Sequence, residues 1–212
     1  MQAVTSRASL LGMLGLLLLF GAAAPPLQAQ STAPRPLAQA LDAMRDGDWS
    51  RAAALAARDG PAAADLIEWH RLRAGRGTAA EVTRFLTENG DWPGLDRLRR
   101  RSEEAIAAAD PATVRVFFAS RTPQTGTGAL AHAATLAAAG ERGAAEAGLV
   151  LAWRTLPLDD EEHAAFLERH GPLLRPHHTA RLDMALWNRW DDNADAMLPL
   201  VPEGWRRLAA AR

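Results

Sequence analysis

PHHTARLDMALWNRWDDNADAMLPLVPEGWRRL, Pro176 to Leu208, decides the fold class of this chain. It reads as a helix, a break, a second helix, another break and the opening of a third. On the first helix Ala180, Met184 and Trp187 fall at i, i+4 and i+7, a single apolar stripe, which Leu182 and Leu186 widen. Pro199 to Gly204 interrupts the pattern, and Trp205 and Leu208 restart it. Two short amphipathic helices cannot close a core alone, so another pair must stack on each side. The fold expected is all-α, an array of stacked helical hairpins. Taken alone, this pattern carries no chemistry.

Composition points the same way. Alanine makes up about a fifth of the 212 residues, far above ordinary usage, and lysine and tyrosine are absent. Ala, Leu, Arg and Glu are good helix formers, and β-branched residues are scarce. The formal net charge of −1 argues against a general nucleic-acid binder. With no cysteine, disulfides, thiolate metal sites and cysteine nucleophiles are excluded together.

Residues 1–29 have the layout of an export signal peptide. Arg7 supplies the positive start, Leu10 to Ala24 is the apolar stretch, and Leu27-Gln28-Ala29 offers a small residue at the cut. Cleavage is expected after Ala29, with a site near Ala24 as the alternative. The apolar run is roughly 15 residues, shorter than the roughly 20 a membrane span needs. The mature chain is therefore expected to be periplasmic, soluble and not lipidated, with no membrane contact after cleavage. Residues 30–35 form a Ser/Thr/Pro linker, and 36–212 form the helical domain.

Along that domain, turn residues divide short amphipathic runs. Pro36 opens a helix whose inward side is Leu37, Leu41 and Met44, and Gly47-Asp48 turns into a second through Ala52 and Ala56. Ala62 to Ala74 and a segment carrying Val82, Phe85 and Leu86 follow. Asp91-Trp92-Pro93 opens a longer helix with proline at its first turn, and its Arg97–Arg101 cluster is placed to pair with Glu103 and Glu104 along the surface. Asp110-Pro111 starts the next helix, and Arg121 to Gly128 reads as an irregular loop. Helices at Ala129–Ala139, Ala144–Trp153 and Asp159–His170 come after it, the last ended by Gly171-Pro172. Three hairpins share a spacing of a turn residue, four positions and an alanine: Gly47 to Ala52, Gly140 to Ala145 and Arg189 to Ala194. The first of them resembles the turn and second-helix start of a tetratricopeptide repeat, and the unequal repeat lengths imply an irregular α-superhelix of stacked helical hairpins, a tetratricopeptide-like solenoid. Most tryptophans sit near helix ends, where a large ring can fill the wedge between hairpins.

No catalytic constellation emerges. Asp159-Asp160-Glu161-Glu162 opens a helix, where the helix dipole favours negative charge. None of His70, His132, His163, His170, His177 and His178 forms a zinc motif. Gly126-x-Gly128 has no preceding strand and no phosphate-binding lysine, and there is no Gly-x-Ser-x-Gly elbow. No catalytic, cofactor-binding or metal-ligating residue is assigned.

The order of several segments is nonetheless familiar. Asp91-Trp92-Pro93-Gly94-Leu95, Thr122 to Gly128, Ala152 to Leu158, Phe166 to Leu174, His178-x-x-Arg181-x-Asp183-x-x-Leu186-Trp187 and Met197 to Pro202 resemble the N-terminal superhelical region of soluble lytic murein transglycosylases. The likeness runs from about Pro36 to Arg212. It implies a periplasmic scaffold whose family cleaves peptidoglycan with a muramoyl 6-hydroxyl as nucleophile and one glutamate as acid and base. That glutamate lies in a lysozyme-like domain, and the sequence holds no Glu-Ser dipeptide to carry it over, so no catalytic residue is transferred. The implied partners are peptidoglycan and, at the C-terminal face, a catalytic domain or protein partner. Arg189 departs from the family's small turn residue. The chain stops within a helix at Leu208-Ala209-Ala210-Ala211-Arg212, which implies a solenoid cut short and an exposed, self-associating end. The rival expectation is a free-standing periplasmic helical-repeat adaptor for a protein partner.

Overall fold

The computed structural model describes residues 35–211. The expected signal peptide, and all of the linker except Arg35, lie outside the described residues. What is described is helical throughout: α1 Pro36–Arg45, α2 Trp49–Ala57, α3 Pro61–Arg73, α4 Ala79–Glu88, α5 Leu95–Ala107, α6 Pro111–Phe118, α7 Gly126–Ala138, α8 Arg142–Thr155, α9 Asp160–Leu174, α10 His178–Asn188, α11 Asp191–Met197 and α12 Glu203–Ala210. Short 3-10 turns at Arg175–His177 and Leu198–Leu200 lead into α10 and out of α11. Among the described residues there is no strand.

Local chemistry sets the helix starts. Pro36, Pro61 and Pro111 stand at first turns, where a missing N–H costs nothing. Thr78 with Glu81, and Asp159 with Glu162, form reciprocal capping boxes, while Asp48 and Asp110 accept from the first free N–H groups of α2 and α6. The helix stops repeat one device. At Gly47, Gly75, Gly140 and Arg189 the backbone turns left-handed. The next residue then donates its N–H five residues back, as in Asp48 to Ala43, Arg76 to Arg71, Glu141 to Leu136 and Trp190 to Ala185. In three of these the following helix packs straight back on the one just ended, giving the hairpins α1/α2, α7/α8 and α10/α11. Ala52, Ala145 and Ala194 are buried where those hairpins close, so the shared spacing has a backbone basis. Arg189, despite its side chain, takes the glycine geometry with φ 57° and ψ 43°.

Three apolar clusters follow one another in chain order. The first is mostly alanine with Ile67, the second gathers Leu72, Phe85, Leu98, Ile106 and the Phe117–Phe118 pair, and the third runs from Ala129 to Val201. The principal α-helix contacts join helices at most two apart in the chain.

The structure departs from the sequence reading at several points. Pro93 stands before α5 rather than in its first turn, because Gly94 in a left-handed conformation starts the helix. Gly126 to Gly128 are helical, so the irregular segment ends at Thr125, which caps α7 by accepting from Gly128 N–H. α9 passes through Gly171-Pro172 instead of ending there. The carbonyl that the proline leaves without a donor belongs to solvent-exposed Glu168, while fully buried Leu174 anchors the turn beyond. Glu103 is only 1 % exposed and belongs to the core, not to a surface pair. On α10 the buried residues are His178, Arg181, Leu182 and Ala185. Of the stripe expected through Ala180, Met184 and Trp187, the first two are half-buried and Trp187 is 81 % exposed, while Leu182, expected to widen it, is buried.

Candidate functional site

Two acidic side chains converge on the start of α7. A helix N-terminus presents free N–H groups and partial positive charge, a ready site for an anion. Here two glutamates of the chain occupy it. Glu103 reaches from α5 and accepts from Gln124 N–H at 2.8 Å, Thr125 N–H at 2.8 Å and the Thr125 hydroxyl at 2.6 Å. Glu162 reaches from the first turn of α9 and accepts from Thr127 N–H at 2.7 Å and the Thr127 hydroxyl at 3.1 Å. The glycines make room for this approach: a Cβ on Gly128 would stand 2.3 Å from Glu103 Oε2, and one on Gly126 would stand 2.7 Å from the Glu162 carboxyl carbon. Burial pushes the Glu103 carboxyl above its ordinary range, against the pull of hydrogen bonds from Thr125 and Gln124. The Gly-x-Gly segment therefore holds internal carboxylates, and the oxygens of Glu103 are engaged by backbone and hydroxyl donors.

Beside this anchor lies an open groove of about 1030 Å³ between α5 and the N-terminus of α9. Arg97, Arg100 and Arg101 line it, together with Glu104 and Glu161. None of these five side chains makes an ion pair. The pairs expected along α5 do not form: each arginine lies N-terminal to its acid, the weaker order on a helix. At the rim Arg121 bonds Asp96 at 2.8 Å. A more apolar hollow of about 720 Å³ adjoins it, floored by Ala133, Gly148 and Ala152 and sharing Arg100, Gln124 and Pro157 with the charged groove.

A second polar centre is closed. The Trp153 ring is wholly buried; His163 stacks on it at 5.2 Å and the Arg181 guanidinium lies 4.5 Å from its centre. Arg181 donates to the carbonyls of Trp153 and Leu156 at the end of α8 and to Asn193 Oδ1 at 2.6 Å. A cation there complements the negative helix end. Asn193 completes the network by accepting from Leu158 N–H at 2.9 Å and donating to its carbonyl at 3.0 Å. Burial lowers the Arg181 guanidinium to about 10, opposed by the charge of Glu162. It also lowers the His163 and His178 imidazoles, and Arg181 adds to the effect at His163.

The remaining sequence candidates are dispersed. His70 lies edge-on against Trp69, His132 tilts over Phe118, and adjacent His177 and His178 differ in exposure, the second being buried. Among the described residues no three histidine, aspartate or glutamate side chains converge as metal ligands. Sequence reasoning missed Glu103 and Arg181 as buried centres. Nothing in a charged run marks one member as inward, and the clue was the spacing of Leu98 and Ile106, between which Ser102 and Glu103 share the buried face. Among the described residues no helix is long and apolar enough to cross a membrane. No protein-family model, no curated protein and no solved structure matches the chain.

Proposed function

We propose that this chain is a non-catalytic α-superhelical scaffold of the periplasmic lytic transglycosylase kind, serving peptidoglycan cleavage and turnover while a lysozyme-like domain breaks the bond. One observation carries the reading: the segments that resemble that family's superhelical region are the joints of this fold. Pro93 accepts from Trp69 Nε1–H at 3.0 Å, Thr125 receives buried Glu103 and Thr127 receives half-buried Glu162, and Arg181 stacks on Trp153 in the third cluster. Residues used this way hold hairpins together, which is a scaffold's task. The repeated hairpin turn and the chain-order contacts between helices support a solenoid arrangement. Sedimentation with purified peptidoglycan sacculi, together with a zymogram, tests the proposal. Binding without clearing is expected, and clearing by this chain alone would overturn it.

A protein adaptor is the second reading, favoured by the outward apolar side chains Trp187 and Leu151, which are 81 % and 50 % exposed. A stoichiometric protein partner recovered from periplasm, with no sacculus binding, would select it.

A further inference from the structure

We propose that the groove between α5 and the start of α9 binds a short dipolar peptide, with a carboxylate against Arg97, Arg100 and Arg101 and an ammonium against Glu104 and Glu161. The proposal rests on geometry and unspent charge, and it stands whether or not the scaffold reading holds.

Arg97, Arg100 and Arg101 fall at i, i+3 and i+4, so one face of α5 carries three guanidiniums. Glu104 continues that face one turn further on, and Glu161 comes from the opposing wall. Of the groove's other acids, Asp96 pairs with Arg121, Asp159 caps α9 and Glu162 accepts from Thr127 N–H, so the charge left without a partner is cationic along Arg97 to Arg101 and anionic at Glu104 and Glu161. A helix rises about 1.5 Å per residue, so Arg97 and Glu104 stand roughly 10 Å apart along its axis. An extended chain covers about 3.3–3.6 Å per residue, so three residues span that distance. A polyanion would meet Glu104 and Glu161, and a polycation would meet the arginines; a ligand with both charges satisfies both ends. Gln124, at the groove's edge, sits between its neighbours Pro123 and Thr125 with its amide nitrogen donating to Asp96 O at 3.3 Å. Beneath the surface Arg100 also acts on buried Glu103, so Arg97 and Arg101 are the arginines to test.

The test is titration of the full chain with the tripeptide Lys-Ala-Glu, followed by nuclear magnetic resonance shifts. Two stripped probes run alongside: acetyl-Gln-Ala-Glu without amines, and Lys-Ala-Gln amide without carboxylates. Inorganic phosphate is the fourth. Saturable binding of the intact tripeptide is expected, weakened about three- to five-fold by Arg97→Gln, Arg101→Gln or Glu161→Gln. The arginine variants should leave the carboxylate-free probe unchanged, and Glu161→Gln should leave the amine-free probe unchanged. Equal binding of both stripped probes, or no saturation at millimolar tripeptide, would overturn the proposal. So would phosphate binding tighter than the tripeptide and indifferent to Glu161→Gln, since that describes a plain anion site.

Discussion

Replacing Arg189 with glycine should stabilise the protein. Arg189 is the one non-glycine residue at positive φ among the described residues, and it occupies the position held by Gly47, Gly75 and Gly140 in the other turns of the same kind. A left-handed backbone costs an L-residue about 1–2 kcal/mol, and glycine loses about 0.5–1 kcal/mol more chain entropy on folding. The Arg189 side chain is exposed and makes no hydrogen bond or ion pair, so its removal should subtract little else. The difference is a gain of about 0.5–1 kcal/mol, or about 1–4 °C in Tm for a chain of this size. The converse change isolates the same term. A Cβ on Gly140 meets nothing within 4 Å, so Gly140→Ala should cost about 0.5–1.5 kcal/mol through backbone conformation alone. Urea unfolding of both variants, read as the midpoint at unchanged slope, measures the pair. An Arg189→Gly protein no more stable than the parent, or a Gly140→Ala protein equal to it, would refute the backbone argument.

Gly128→Ala should destabilise by about 2–4 kcal/mol, since its methyl would collide with Glu103 Oε2 and dislodge the anchored loop; the same urea assay reads it. Asn193→Leu should cost about 2–4 kcal/mol, because both Leu158 backbone groups and one Arg181 donor lose their partner. Acidification should weaken the fold as well. The His163 and His178 imidazoles titrate below 6.5 when folded, so the unfolded chain takes up protons first as pH falls. Their contribution is complete above 6.5 and is lost as pH drops through the folded values. Burial of Glu103 acts with the opposite sign: its share is present below 4.5 and is lost as pH rises through its raised value. Because Glu103 contributes equally to the parent and to His163→Gln, the difference between their stabilities, measured in half-unit steps from pH 7.5 to 5, isolates the imidazole, and the parent should lose ground to the variant as pH falls.

The turns were legible in the sequence because glycine and proline act locally: Gly47, Gly140 and Pro111 sit where their dihedral preferences place them. Arg189 was legible only through its distance from Ala194, since arginine has no preference for that conformation. The faces of the helices were harder. On α10 the apolar stripe ran through Trp187 and did not include Arg181, whereas stacking on Trp153 and three donated hydrogen bonds hold Arg181 inside. Glu103 escaped notice for the same reason, because the donors that make its burial tolerable come from residues more than twenty positions away. Long-range polar satisfaction leaves no periodic trace. The charged groove shares this limit: Arg97 and Glu104 are visible in the sequence, but the wall that brings Glu161 opposite them is a product of packing.

The start of α7 arrives already neutralised by the chain's own side chains. A helix end that waits for phosphate or sulfate would firm up with buffer composition, and its neighbourhood would respond to whichever small anion is abundant. Here two internal counter-ions come from helices on either side, α5 and α9, so the segment is tied to both at once. Disturbing either carboxylate would therefore be felt by the other's helix, and the joint behaves as a rivet through three layers rather than as a receptor.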